Sequence, residues 1–204
     1  MVTSVDLVQW QIRVARGERL DLDPARAITP HGHAIECRIY AEDPDDGFMP
    51  SPGLIRALRA ASGPGIRDDG GVSAGYEVPV HYDSMIAKLV AWAASRPEAI
   101  ARMSRALSEY QVLGIRTTIP FFLWLMREQD YRDGCYDTTY LDRLLAERRV
   151  SGRRFSELSE ADEELAAIAA GVDAFVRSSV GDGHSQGPGL RSAWKHAARL
   201  EARR

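Results

Sequence analysis

Apolar residues occupy every second position between residues 31 and 42, which predicts a β-strand with one face towards a core. That mostly apolar face consists of His33, Ile35, Cys37, Ile39 and Ala41. The opposite face consists of Ala34, Glu36, Arg38, Tyr40 and Glu42. Side chains two residues apart on a strand lie roughly 7 Å apart on the same side. Glu36, Arg38 and Tyr40 can therefore share one site.

The apolar spacing elsewhere predicts a mixture of helices and short strands. The predicted helices cover residues 2–16, the segment from a Ser95 cap to Gly114, 120–127, 140–148, and a segment that starts at Ser159. The predicted strands cover residues 54–60, 66–67, 85–92 and 115–118. We expect Thr3 or Ser4 to cap the first helix and Gly17 to end it. Because strands and helices do not alternate regularly, the order predicts an α+β domain with a small antiparallel sheet covered by helices.

Residues 149–204 are predicted to form a helical C-terminal tail. The helix that starts at Ser159 carries an apolar stripe made of Leu165, Ile168, Ala169, Val172, Phe175 and Val176. Residues 178–190 are rich in glycine and serine, which predicts a flexible linker, and 191–204 read as a short basic helix. Two such amphipathic helices can dock on a partner or on their own domain, and the sequence does not decide between these alternatives.

Composition narrows the class of protein. The chain has 204 residues, a net charge of −3 and two cysteines, Cys37 and Cys135. This charge gives no electrostatic case for nucleic acid or for an anionic membrane. The N-terminus lacks a signal-peptide pattern and no apolar run approaches the length of a membrane span. We therefore expect a cytoplasmic protein with reduced thiols.

Two other motifs are weak candidates for chemistry. His31, His33 and Cys37 have a spacing that fits no common metal site, so we predict no metal. The Gly-Pro-Gly turn at residues 63–65 lacks the lysine and the following helix of a phosphate loop, so it is interpreted as a plain turn.

Arg38 allows two interpretations. Its guanidinium, held on a rigid strand, can bind a planar anion through two parallel hydrogen bonds. Alternatively, it is a charge on the wet face of an antiparallel sheet that pairs with Glu36 or Glu42. The residues alone favour the second interpretation.

The sequence GHAIECRIYAEDP, followed by PSPG, resembles the signature that opens the C-terminal domain of biotin carboxylases. VPVHYDS at residues 78–84 is similar to the family's VPPYYDS, and residues 1–12 resemble the helix that follows the family's catalytic loop. The resemblance covers about residues 1–148 and implies the biotin carboxylase C-terminal domain fold, with 149–204 as the tail. It also implies that residues 1–16 are the helix that follows an ATP-grasp domain.

The resemblance implies roles for individual residues. Arg38 is implied as the catalytic guanidinium that binds the biotin ureido oxygen as negative charge develops there. The residues implied to lie near biotin are Glu36, Tyr82 and Asp83. The residues implied to form a dimer interface are Pro64, Ile66 and Arg67. For Asp83 the residues favour a simpler role, capping a turn through its own backbone, and for Arg67 a solvated surface position is an equal alternative.

The resemblance also implies the reaction and the partners. Biotin carboxylases use ATP and bicarbonate to carboxylate biotin carried on a partner domain, as a step of acyl-CoA or pyruvate carboxylation. The implied partners are a biotin carboxyl carrier protein or domain, a second copy of the chain and a carboxyltransferase subunit. The family binds ATP and Mg in the ATP-grasp domain, which would precede Met1, so we expect this chain alone to bind neither and to be inactive. The alternative is a non-catalytic dimerisation or interaction module that has lost the ATP-grasp half.

Overall fold

The computed structural model describes residues 1–21, 23–25, 29–156 and 160–181. The chain divides into two compact units, Met1–Ser156 and Glu157–Arg204. The first unit contains the α-helices α1 (Leu7–Ala15), α2 (Arg96–Glu109), α3 (Ile119–Leu125), α4 (Gln129–Asp133) and α5 (Tyr140–Ser151), and a 3-10 helix at Pro44–Asp46. The second unit contains α6 (Glu160–Gly181).

Nine strands are described, and all of their pairings are antiparallel. They are β1 (His33–Tyr40), β2 (Glu42–Asp43), β3 (Met49–Pro50), β4 (Gly53–Leu54), β5 (Ala57–Arg59), β6 (Ile66–Gly70), β7 (Glu77–Val78), β8 (Met85–Ala93) and β9 (Gln111–Leu113). The largest sheet has the order β1-β8-β6, so β1 and β6 are its edges. Three two-stranded pairs, β2-β3, β4-β7 and β5-β9, complete the described strands. The predicted α+β architecture is confirmed.

The core lies on one face of the three-stranded sheet. Ile35, Cys37 and Ile39 of β1 are buried, and each alternates with an exposed or half-buried residue, as the period-two pattern predicts. Helix α2 covers this face with an apolar stripe of Ala99, Ile100, Met103, Ala106 and Leu107. Full burial of a large aliphatic side chain contributes about 1.5–3 kcal/mol, so this contact stabilises the domain.

The ends of two helices differ from the predictions. Helix α1 begins at Leu7 because the Asp6 carboxylate accepts a hydrogen bond from the Gln9 amide at 2.9 Å, so neither Thr3 nor Ser4 is the cap. Helix α2 begins at the predicted Ser95 cap but ends at Glu109, before Gly114. Tyr110 is the C-cap of α2, and Gln111–Leu113 form β9, which pairs with β5.

Two predicted strands also differ from the structure. The predicted strand 54–60 is divided into β4 and β5 because its two halves pair with different strands, β7 and β9. The predicted strand 115–118 is instead a bend that leads into α3. In both cases a partner distant in sequence decides the backbone hydrogen bonds.

The second unit is described by α6. Its predicted apolar stripe is solvent-exposed, with Leu165, Ile168, Val172, Phe175 and Val176 among the exposed large hydrophobic residues. The helix continues to Gly181, so the first residues of the predicted linker 178–190 are helical. The remainder of that linker and the predicted helix 191–204 lie outside the described residues. Among the described helices, none has the length and apolar character that crossing a membrane requires.

Candidate functional site

Arg38 lies on the exposed face of the edge strand β1. Its side chain is 57% exposed, and its Nε donates a hydrogen bond to Glu36 Oε1 at 3.1 Å. Arg38 lies opposite Lys88 of β8, and Lys88 lies opposite Asp69 of β6. Directly opposite residues of antiparallel strands face the same side, so this face carries a row of two cations and one anion.

Two neighbours on β1 interact with the Arg38 guanidinium. The hydrogen bond with Glu36, followed by an interaction with Tyr40, raises the pKa of the guanidinium above its ordinary value. Arginine is a cation at every physiological pH even without this shift, so Arg38 carries a permanent positive charge. The bond to Glu36 uses Nε, which holds the plane of the guanidinium by one edge. Such a group presents a positive, planar donor surface to an anion that approaches from solvent.

Thr118 joins this site, although no sequence motif indicates it. It is 3% exposed, and its hydroxyl accepts a hydrogen bond from the Tyr40 amide at 3.1 Å and donates to the Arg38 carbonyl at 3.3 Å. Its own amide donates to the Tyr40 carbonyl at 3.1 Å. Thr118 precedes α3 without capping it, because its hydroxyl is directed to β1 instead. A buried threonine thereby holds the backbone on both sides of Ile39.

Tyr82 and Asp83 lie just before β8, whose first residue, Met85, pairs with Tyr40. Tyr82 is 82% exposed. Asp83 Oδ1 accepts a hydrogen bond from the Met85 amide at 3.0 Å, which is the turn-capping role that the residues favoured. The adjacent Ser84 hydroxyl donates to Glu42 Oε1 at 3.0 Å and so ties this turn to the start of β2.

Arg67 lies on the same sheet face as Arg38 but on the other edge strand. Its Nη2 donates to Asp69 Oδ2 at 2.9 Å, and Val90 separates it from Glu36 across the sheet. Pro64 is exposed in the preceding turn, whereas Ile66 is half-buried and packs against the core. The exposed sheet face therefore brings together Glu36, Arg38 and Arg67, while Ile66 points to the opposite side.

The described residues hold no group of three or more histidine, cysteine or acidic side chains that could bind a metal ion. Cys37 faces the core, where burial, with a smaller contribution from Glu36, raises the pKa of its thiol to about 12. It is therefore a neutral thiol at pH 7 and a poor metal ligand.

Comparisons with known proteins identify the domain type. The family model of the biotin carboxylase C-terminal domain matches residues 36–143. A pyruvate carboxylase subunit of Methanothermobacter thermautotrophicus is 44% identical over 192 residues, which cover 89% of this chain and 39% of that protein. Biotin carboxylase 1 of Bacillus subtilis is 47% identical over 142 residues, which cover 70% of this chain and 31% of that protein.

Solved structures agree with these matches. A dimer of the biotin carboxylase domain of Hydrogenobacter thermophilus 2-oxoglutarate carboxylase, in complex with MgADP, ADP and bicarbonate, is 43% identical with a TM-score of 0.70. The match covers 78% of this chain and 33% of that one. The chain thus spans well under half the length of these relatives. Because one match covers 89% of the chain, the similarity extends beyond residue 148, farther than the motifs alone indicated.

Proposed function

Because the chain belongs to the biotin carboxylase family and corresponds to its C-terminal part, we propose that it completes the site where protein-bound biotin is carboxylated. The observation that carries this proposal is the position of Arg38 on the exposed face of β1, with its Nε bonded to Glu36. Relatives named as biotin carboxylases favour an enzyme role over a non-catalytic interaction module.

The chemistry requires a fixed cation. Carboxylation of a ureido nitrogen proceeds through a state in which negative charge develops on the ureido oxygen. A donor that is already positioned stabilises this charge without reorganising at the moment of reaction. Arg38 is suited to this role because its charge is permanent and both its side chain and its backbone are held by neighbours. Glu36 acts as a positioning residue, and the exposed Tyr82 is available for contact with biotin or its carrier.

The remaining functions belong to other parts of the assembly. ATP, Mg and bicarbonate would be used by an ATP-grasp domain, and biotin would arrive on a carrier protein or domain. A carboxyltransferase subunit would take the carboxyl group to its acceptor. The exposed Arg67 and Pro64 would contribute to contact between two copies of the chain, and a relative solved as a dimer supports this assignment.

A chimera tests the proposal. Residues 1–148 would replace the corresponding part of Bacillus subtilis biotin carboxylase 1, so that both halves are present. We expect Arg38→Gln to lower the rate of biotin carboxylation about 100- to 1,000-fold. Glutamine has no positive charge and cannot donate two parallel hydrogen bonds to the oxygen on which negative charge develops. Bicarbonate-dependent ATP cleavage should fall much less, since the groups for that step lie outside this chain.

Arg143→Gln is the matched control. Arg143 is also 57% exposed and also pairs with one acid, Asp137, but it lies on α5. It should retain both activities, because an exposed ion pair contributes only about 0–1 kcal/mol. Equal loss of both activities in Arg38→Gln would indicate damage to folding, and unchanged carboxylation would return Arg38 to a surface role.

A further inference from the structure

A cavity of about 240 Å³ lies at the C-terminal end of α5. Four arginines line it, Arg148, Arg149, Arg153 and Arg154, and we call it the arginine pocket. The whole chain has a net charge of −3, so this pocket is a local concentration of positive charge on an acidic protein. A concave surface lined by one sign of charge focuses the field and attracts the opposite charge.

Arg148 forms one wall of the arginine pocket and contacts two aromatic rings. Its guanidinium lies over the ring of Phe155 at 4.4 Å and over the ring of Trp124 at 5.1 Å. Its Nη2 donates to the carbonyl of Arg154, and its Nε is buried without a hydrogen-bond partner in the described part of the chain. A buried N–H of a charged group that lacks a partner is costly, and an anion in the pocket is one way to offset that cost.

The acid that lines the pocket is already engaged. Asp45 accepts a hydrogen bond from the Phe155 amide at 2.6 Å and another from the Ser156 hydroxyl. Burial opposes the ionisation of Asp45, but these hydrogen bonds, together with the charge of Arg154, outweigh it and hold its pKa below the usual value. Within the described residues, Arg149 and Arg153 have no carboxylate partner. Positive charge in the pocket therefore exceeds negative charge.

The helix dipole explains only part of this arrangement. Arg148 and Arg149 lie in the last turn of α5, where a cation is favoured. Arg153 lies beyond Gly152, which ends the helix with φ of 67°, so the dipole does not account for it. Residues on both sides of this turn instead converge on the same cavity.

We propose that the arginine pocket binds a small phosphorylated compound. One guanidinium group can donate two parallel hydrogen bonds to the oxygens of a phosphate, and several guanidinium groups around one cavity suit a phosphate or diphosphate group. The cavity is smaller than the roughly 300–1,000 Å³ of ordinary ligand pockets. It therefore fits a phosphate or diphosphate that carries a small substituent, but not a whole nucleotide. None of its lining residues is implicated in biotin binding, so the inference goes beyond the proposed function.

Titration calorimetry of the 204-residue chain with sodium pyrophosphate, without Mg and in about 0.15 M salt, tests the proposal. Wild type should give a saturable heat. Arg149→Gln with Arg153→Gln should weaken binding at least about tenfold, because hydrogen bonds to charged groups are lost. The control, Arg105→Gln with Arg143→Gln, removes the same charge outside the pocket and should change the affinity less than about twofold.

The absence of a saturable heat in wild type would overturn the proposal. Equal weakening in the two double variants would also overturn it, because attraction to overall charge would then explain the binding. If circular dichroism shows that the pocket variant is unfolded, the site is located instead by the changes in amide chemical shift that pyrophosphate causes in the wild type. Changes concentrated at residues 148–155 support the arginine pocket, and changes concentrated elsewhere refute it.

Discussion

Replacing Thr118 with valine removes the hydroxyl that holds β1 beside Arg38 and changes little else in shape. The Tyr40 amide loses its acceptor, and the Arg38 carbonyl loses a donor. The Thr118 amide still donates to the Tyr40 carbonyl, so one of the three hydrogen bonds remains. The variant therefore isolates what the hydroxyl contributes to the site.

The expected loss can be worked out from these contacts. An unsatisfied buried amide costs about 1–3 kcal/mol. The 3.3 Å bond to the Arg38 carbonyl is long for a hydroxyl donor, so its loss adds about 0.5 kcal/mol. The added methyl group of valine returns up to about 0.8 kcal/mol. We expect Thr118→Val to lower the free energy of unfolding by roughly 1–3 kcal/mol.

Urea unfolding of wild type, Thr118→Val and Thr118→Ser measures this loss, and amide hydrogen exchange localises it. The serine variant loses a methyl group but keeps the hydroxyl, so its Tyr40 amide should stay protected. In the valine variant the same amide should exchange about tenfold or more faster. Unchanged protection of Tyr40 in Thr118→Val would refute the assignment of Thr118 as the residue that holds β1.

Two further predictions concern the same domain. Gly114→Ala should lower the free energy of unfolding by about 2–5 kcal/mol, because φ is 111° and the new Cβ would collide with the Leu54 carbonyl oxygen. The control Gly75→Ala, at φ of 90° in open space, should lower it only by the backbone strain of about 1–3 kcal/mol. Equal losses of the two variants in urea unfolding would contradict the steric argument. Burial raises the pKa of Asp68, and the charge of Asp69 raises it further. The hydrogen bond from Tyr110 lowers this pKa but does not reverse the rise. The protonated Asp68 carboxyl therefore contributes to the stability of the folded state in full below about pH 4. This contribution is lost as the pH rises through the raised pKa of Asp68. Asp68→Asn should therefore gain stability relative to wild type between about pH 4 and pH 7, and a relative loss over that range would show the sign to be wrong.

The sheet face that carries Arg38 could be predicted from sequence because alternation along a strand directly reflects its pleat. Ile35 and Cys37 are buried, whereas Glu36 and Arg38 are exposed, as the pattern requires. The pairing of Arg38 with Glu36 is predictable for the same reason, since both residues lie on one strand. The role proposed for Arg38, in contrast, rests on the resemblance to biotin carboxylases, because an arginine beside a glutamate is common on solvated sheet faces.

The unpredicted features depend on contacts between distant segments. Tyr110 continues the apolar stripe of α2, so no local pattern indicates that the helix ends there to form β9 opposite β5. Thr118 lies about eighty residues from its partners on β1, and a threonine before a helix usually suggests a cap. The arginine pocket similarly joins the end of α5 to residues near Asp45. The spacing of residues within one segment carries no information about such pairings.

The three hydrogen bonds between Thr118 and β1 also restrict how a partner can approach. An unpaired edge strand normally invites another chain to add a strand alongside it. At Arg38 and Tyr40 the outward carbonyls and the Tyr40 amide are already occupied by Thr118. A second chain could not extend the sheet at these two residues and would have to contact the side-chain face instead. A peptide that adds a β-strand would therefore lack hydrogen-bond partners at these three backbone groups, whereas a compound that contacts the side-chain face around Arg38 would leave the bonds to Thr118 intact.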